Sequence, residues 1–310
     1  MSSLRNRLSE GGLIVLDGGI GTEIQRRGIA LDPCAWSGFS HWHHPEIILG
    51  IHKDYILAGA DVITTNTFSS ARHILEDVGL VDDFERINRR AVDLAKRARD
   101  EVAGGEVWIA GSLSTIPPLD RPAAVPAGPQ IADNYARQAR ILADAGADLL
   151  IAEMLLDSDG ASILIEACLA SGLPVWAGFS ASVAADQASV RAFRAPGKYT
   201  EMRDETFEEL LRNVLRDGID VAGVMHTKLP IMAPALGVLA RLWKGPTMAY
   251  AETGRAGASE WFFEDVVAPE AYADQARIWI QNCGVRIVGG CCGTGPEHVA
   301  ALCQMVRQSA

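Results

Sequence analysis

Ala147-Asp148-Leu149-Leu150-Ile151-Ala152-Glu153-Met154-Leu155 carries an aspartate at its start and continues as an apolar run broken by a second carboxylate, Glu153, near its far end. Its length and composition fit a parallel strand buried on both faces, and Ser158–Ala170 after it has helical period. A carboxylate inside such a strand is costly to bury unpaired, so Glu153 calls for a partner or a ligand.

The same unit recurs on either side. Short apolar strands are predicted at Leu13–Leu16, Val62–Thr67, Val107–Leu113, Leu149–Met154, Pro174–Ser180, Val221–Thr227, Thr247–Glu252 and Val285–Gly289. Between them, Phe84–Val102, Ile131–Ala145, Ser158–Ala170, Thr206–Arg216, Met232–Trp243, Ala268–Gln281 and Pro296–Arg307 repeat apolar residues at three- and four-residue spacing. Strands alternating with helices in this order predict an α/β fold, a single (β/α)8 TIM barrel spanning residues 1–310. A doubly wound open sheet is the competing architecture. Asp17-Gly18-Gly19-Ile20-Gly21-Thr22 after the first strand lacks the glycine spacing of a dinucleotide loop.

The chain has 310 residues, 48% of them hydrophobic, enough for one large core. With 28 Lys and Arg against 39 Asp and Glu, its net charge of −11 argues against nucleic acid or an anionic membrane surface as partner. No run of 18 apolar residues occurs, and Met1–Gly11 is polar, so neither a membrane span nor a secretory leader is expected. A cytoplasmic location with reduced thiols follows, and a homo-oligomer is compatible with all of this. Two stretches read as loops, Ser114–Gln130 with its five prolines and the polar Ala181–Glu205. Both follow strands and should lie on the functional face. No internal repeat, linker or low-complexity tract is evident.

Catalytic groups of such barrels sit at the C-terminal strand ends. There the sequence sets Asp17, the Thr65-Asn66-Thr67 run, Glu153, His226, Glu252, Cys291 and Cys292. Gly289-Gly290-Cys291-Cys292-Gly293-Thr294 is the most distinctive of these segments. Adjacent cysteines do not easily bond each other, and flanking glycines let both sulfurs face one ion. A catalytic zinc site needs three protein donors and an open position, and His226 is a candidate third. The plainer reading is a pair of small buried thiols and a hydrogen-bonded structural histidine. Asp17 and Glu153 could grip an ammonium group, with the backbone of Gly18–Thr22 receiving a carboxylate. His41, His43 and His44 precede Pro45 and read as surface or capping residues. Cys34, Cys168, Cys283 and Cys303 read as packing residues.

These stretches resemble the homocysteine S-methyltransferases, a family that includes betaine–homocysteine and S-methylmethionine–homocysteine methyltransferases and the homocysteine module of methionine synthase. The resemblance rests on Leu16–Glu23, Gly59–Phe68, Ala110–Leu113, Ala147–Glu153 and Gly289–Thr294 followed by Pro296, in the family's order. It implies a (β/α)8 barrel, zinc on Cys291 and Cys292, and homocysteine held by Asp17 and Glu153 in a pocket lined by Gly18 and Thr65–Thr67. The chain departs from the family at three places. Met225-His226 stands where Asn-Cys supplies the third zinc ligand, Glu252-Thr253-Gly254 where Asn precedes Gly, and Met154 where Thr follows the glutamate. Imidazole can replace the thiolate as a donor.

The expected function is zinc-dependent methyl transfer from a small sulfonium or betaine-type donor to a thiol, homocysteine giving methionine. No cobalamin or folate module is visible after the barrel, which favours a directly bound donor. Trp36, Trp42, Tyr55, Trp176 and Tyr250 include aromatic faces suited to an onium cation. Two rivals remain because of His226: a zinc barrel using metal-bound water, with Glu252 as its base, and a non-catalytic family member.

Overall fold

In the computed structural model, residues 2–119, 125–126, 128–183, 189–193, 205–256 and 263–309 are described. Eight parallel strands form one sheet: β1 (Ile14–Val15), β2 (Val62–Thr64), β3 (Trp108–Ser114), β4 (Leu149–Leu155), β5 (Val175–Phe179), β6 (Ile219–Lys228), β7 (Thr247–Glu252) and β8 (Ile287–Gly290). Their order is β1-β8-β7-β6-β5-β4-β3-β2. The ring is nearly closed between β1 and β2 by an isolated parallel bridge, Leu16 to Val62. Two hydrogen bonds flank it, Asp61 N to Val15 O at 2.8 Å and Asp17 N to Val62 O at 3.0 Å.

A helix follows each strand on the outside: Pro45–Ala58, Phe84–Val102, Pro129–Ala145, Ser158–Leu169, Phe207–Val214, Leu229–Leu242, Pro269–Cys283 and Pro296–Ser309. The expected (β/α)8 barrel is thus present. Phe84–Val102 shows why these segments are helices. Its buried residues include Phe84, Ile87, Ala91, Val92, Ala95 and Ala98, an i, i+3, i+4 stripe facing the strands. Thr206 starts the fifth of them with a reciprocal capping box to Glu209. Among the described residues, no helix is long and apolar enough to cross a membrane.

Residues alternate along the strands between two cores. Leu16, Val62, Trp108, Ile151, Trp176 and Met248 fill the barrel interior. Val15, Ile63, Ile109, Leu150, Val175 and Val288 pack outward under the helices. The helix Ser2–Ser9 caps the N-terminal end, where Leu4 and Leu8 join the interior cluster.

A short recurrence, not evident in the sequence reading, organises that same end. Gly59-Ala60-Asp61, Gly146-Ala147-Asp148 and Gly218-Ile219-Asp220 precede or enter β2, β4 and β6. Each glycine has positive φ, between 96° and 105°, which a side chain would strain. Each aspartate then accepts a neighbouring strand's N–H: Val15 (2.8 Å), Ile109 (2.8 Å) and Val175 (3.0 Å).

The structure revises some boundaries. β2 stops at Thr64 rather than Thr67, because Thr67 N turns back to Thr65 O and the threonine hydroxyls, rather than the backbone, continue the contact with β3 at Ser112. Ala181–Val183 and Val190–Ala192 pair as a short antiparallel hairpin where a loop was expected. Three residues per arm are too few for alternation to be read from sequence. The remainder of the segment 181–205, at 184–188 and 194–204, and Pro122 of the proline-rich segment lie outside the described residues.

Candidate active site

At the C-terminal mouth of the barrel lies a cavity of about 630 Å³, reached by the ends of β2, β3, β4, β6, β7 and β8. Gly18, Thr65, Asn66, Glu153, His226, Cys291 and Cys292 all line it. The sequence-predicted groups therefore converge, with two exceptions. Asp17 and Thr67 stand behind the wall rather than on it. Asp17 accepts Thr64 N at 2.7 Å, and the Thr64 hydroxyl lies 3.0 and 3.2 Å from its two oxygens. Thr67 donates to Ser112 O at 2.7 Å, and its hydroxyl meets that of Thr65, also at 2.7 Å. Burial pushes the Asp17 carboxyl up to about 7, against the Thr64 hydrogen bonds, and the nearby negative charge of Glu153 adds to the rise.

The backbone at the mouth is bent to aim side chains inward. Strand register shifts in β4 between Ala152 and Leu155, and in β6 between Met225 and Thr227. Inside those shifts Met154 (φ 54°) and His226 (φ 48°) adopt left-handed conformations that non-glycine residues seldom hold. Such positions cost about 1–3 kcal/mol each and collect at functional sites. The loop after β8 has its own constraint. A Cβ on Gly19 would stand 2.6 Å from the Cys291 carbonyl oxygen, so only glycine lets the β1 loop approach the thiol pair.

A chain of polar contacts runs across the mouth. Ser112 Oγ donates to Glu153 Oε1. Glu153 Oε2 lies 2.7 Å from His226 Nε2, and His226 Nδ1 lies 2.8 Å from Cys291 Sγ. Cys292 Sγ is 3.6 Å from Cys291 Sγ. Because the carboxylate only accepts, Nε2 carries the proton and Nδ1 turns its lone pair to the sulfurs. The adjacent Cys292 thiol and burial hold the Cys291 thiol well above its usual pKa. A cation bound there would reverse that balance.

Among the described residues, no group of three or more His, Cys, Asp and Glu side chains is arranged to hold a metal ion. The donor types still fit zinc. Two sulfurs sharing a tetrahedral zinc stand about 3.8 Å apart, close to the 3.6 Å between Cys291 and Cys292. An imidazole nitrogen and a sulfur on one zinc stand roughly 3.5 Å apart. At 2.8 Å, His226 Nδ1 is a hydrogen-bond partner of Cys291, and ligation requires the ring to draw back. Its bond to Glu153 is the contact that orients metal-bound histidines generally.

Several residues here escaped the sequence reading. His41 was expected to be a surface or capping residue but is fully buried; its Nε2 lies 2.8 Å from Ile87 O and its Nδ1 3.1 Å from Asn66 Nδ2. It props Asn66 against the cavity, and the burial that allows this comes from β2 and Phe84–Val102, remote in sequence. His43 and His44 are exposed, as expected. Ser112 and Thr64 were visible within apolar strands, but nothing local marked them as partners of the acids. Of the aromatic candidates, Trp36 and Tyr250 line the cavity. Tyr55 and Trp176 are fully buried core residues, and Trp42 lies beneath the Arg86 guanidinium at 4.9 Å. Cys34, Cys168 and Cys303 are buried and Cys283 is half-buried.

Comparison with known proteins agrees with this geometry. The profile of the homocysteine S-methyltransferase family matches residues 14–306. Betaine–homocysteine S-methyltransferase 1 of Bos taurus is 27% identical over 317 residues, covering 96% of this chain and 73% of that protein. Homocysteine S-methyltransferase 1 of Arabidopsis thaliana is 24% identical over 323 residues, covering 96% and 94%. The metallated crystal structure of the homocysteine methyltransferase MmuM from Escherichia coli superposes with a TM-score of 0.74 at 25% identity, covering 96% and 98% of the two chains. Barrel, thiol pair and profile agree, and the chain belongs to the homocysteine S-methyltransferase family and is an S-methyltransferase.

Proposed function

We propose that this enzyme methylates the thiol of homocysteine, with Cys291, Cys292 and His226 holding a zinc ion and a small sulfonium or betaine-type molecule as donor. The observation that carries the reading is the line from Glu153 through His226 to the two sulfurs at the barrel mouth. Zinc, when bound, would favour the thiolate form of the acceptor at neutral pH.

The chain's own residues supply the rest. Glu153 keeps the proton on His226 Nε2, so that Nδ1 remains a donor toward the sulfurs, and Ser112 holds the carboxylate in place. Gly18, Thr65 and Asn66 form the wall against which the acceptor rests. Asp17 and Thr67 act from behind it by fixing Thr64 and Thr65. The Tyr250 hydroxyl donates to Gly18 O at 3.1 Å and ties the β1 loop to β7. Phe68, Ile116, Leu119 and Ile231 line the cavity and keep water from the reacting atoms. Trp36 and Tyr250 present aromatic faces to a cationic donor.

In the transfer, the acceptor sulfur forms a bond to the methyl carbon and the bond from that carbon to the donor's sulfur or nitrogen breaks. The donor leaves with the electron pair as a neutral thioether or amine. The thiol proton passes to solvent.

Metal analysis of the purified protein, followed by homocysteine with a panel of sulfonium and betaine donors, tests the reading. About one zinc per chain and methionine formed with at least one donor are expected. A protein without zinc that forms no methionine from any donor overturns it.

A further inference from the structure

Glu252 ends β7 and lines the same cavity as His226, Cys291 and Cys292. Two backbone hydrogen bonds fix it beside the thiol pair. Cys291 N donates to Ala251 O at 2.8 Å, and Thr253 N donates to Cys292 O at 2.9 Å, so the residues on either side of Glu252 are both tied to the cysteines. Along the other edge of β7 runs β6, whose register shifts at His226, between the pairs Met225–Tyr250 and Thr227–Ala251. Glu252 thus belongs to the strand that separates the histidine from the cysteines. Tyr250 points into the barrel and Ala251 packs outward, so alternation turns Glu252 back toward the mouth.

The carboxylate is half-buried, and among the described residues it has neither hydrogen-bond nor ion-pair partner. Its register partner Lys228 is exposed, where solvent screens the charge. Burial raises the Glu252 pKa, and the positive charges of His226 and Lys228 oppose the rise. Behind the Cys292 thiol and burial, the charge of Glu252 is a further cause of the elevated Cys291 thiol, so its field reaches the sulfurs.

That field matters for the acceptor. Two thiolates and a neutral imidazole leave a zinc dication with no net charge, whereas three thiolates leave it at −1. The neutral centre ionises an incoming thiol more readily but makes it less basic, and a sulfur loses nucleophilicity as its pKa falls. A carboxylate beside the centre restores one negative charge to the surroundings of the acceptor sulfur.

We propose that Glu252 sets the charge of the metal centre: it is a positioning residue that supplies the negative charge the His226 imidazole lacks, and so raises the basicity of the bound acceptor sulfur. This rests on the zinc-dependent methyl-transfer reading above.

Calorimetry on the zinc-loaded enzyme tests it without turnover. Homocysteine is the probe and methionine the control without a thiol. Titrations in two buffers of different ionisation enthalpy, from acid to alkaline pH, count the proton released as the thiol binds. The pH at which that release is half complete is the pKa of the bound thiol. Glu252→Gln should lower it by about one unit, the order expected of one charge at close range in a partly desolvated site. Glu252→Asp keeps the charge and should leave it near the wild-type value. His226→Cys should raise it, and His226→Cys/Glu252→Gln should bring it back toward wild type. A Glu252→Gln pKa equal to that of wild type shows no charge effect and overturns the proposal. An equal fall in Glu252→Asp, or a double variant no different from His226→Cys, overturns it as well. So does loss of zinc from Glu252→Gln on gel filtration, which would make the carboxylate a ligand. A wild-type protein without zinc fails the methyl-transfer reading and this inference with it. A zinc-loaded wild type whose bound thiol is indifferent to Glu252 fails this inference alone.

Discussion

At the N-terminal end of the barrel, Asp61, Asp148 and Asp220 each accept a strand N–H and each face an arginine: Arg7 (2.7 Å), Arg99 (3.6 Å) and Arg5 (2.9 Å). At the C-terminal end, Asp17, Glu153 and Glu252 have no arginine or lysine within 4.0 Å among the described residues, and Glu153 is held by the Ser112 hydroxyl and the His226 imidazole. The same residue chemistry is thus neutralised at one end and left uncompensated at the other. Charge left uncompensated in a partly buried cavity is costly, and is relieved by what binds there. The bottom of the barrel is built for stability and the top for ligands.

The largest expected effect is at the thiols. The double variant Cys291→Ala/Cys292→Ala should lose bound zinc and all turnover while its circular dichroism stays that of wild type. Full activity in that variant would break the contrast, because the top would then work without its proposed metal donors. The histidine line comes next. His226→Ala should lose zinc, and His226→Cys should retain it with altered rates, since a thiolate takes the site's charge from 0 to −1. Glu153→Gln removes the carboxylate that orients His226 and should weaken zinc about 10–100-fold, the usual cost of such an outer partner. Dialysis against a competing chelator measures both, and unchanged zinc affinity in Glu153→Gln would detach the acid from the metal.

A pH experiment sharpens the comparison. Asp17 titrates near 7 in the folded protein against 3.8 ordinarily, so the folded state binds more protons between those values. Its contribution to stability is full below pH 3.8 and is lost as pH rises through about 7. Asp17→Asn should lack this component, and its melting temperature should fall less than that of wild type between pH 5 and pH 8. Parallel melting curves for the two proteins would count against an uncompensated acid at that site. The smallest effect on activity should come from the other end. Asp148→Ala removes the acceptor for Ile109 N and should cost about 1–3 kcal/mol in denaturant unfolding. Its kcat/KM should match wild type, and a large fall would show that the two ends are coupled.

How much of this was legible varies with the range of the interaction. The helix Phe84–Val102 was readable to the residue because its apolar stripe and the charges opposite lie in one continuous segment. The Cys291-Cys292 pair was legible for the same reason. Thr65–Thr67 read as strand, yet Thr67 N turns back to Thr65 O, so β-branched composition alone misplaced the end of β2. His41 looked like one of three surface histidines, and only the contact with Ile87, 46 residues on, makes it a buried prop.

The sequence by itself determined the order of eight strands, seven of the eight outer helices, the family, and most of the polar residues that reach the barrel mouth, Asp17 and Thr67 excepted. Periodicity and turn chemistry are local properties, and a parallel barrel turns each strand end into a place on one rim. Only the tertiary structure decided what each polar group does there. Glu153 meets His226 across 73 residues of chain, and His226 meets Cys291 across 65. Whether a carboxylate is free for a ligand or spent on a neighbour depends on desolvation and hydrogen-bond partners brought together by folding. Those distances belong to the closed barrel and to no segment of the chain.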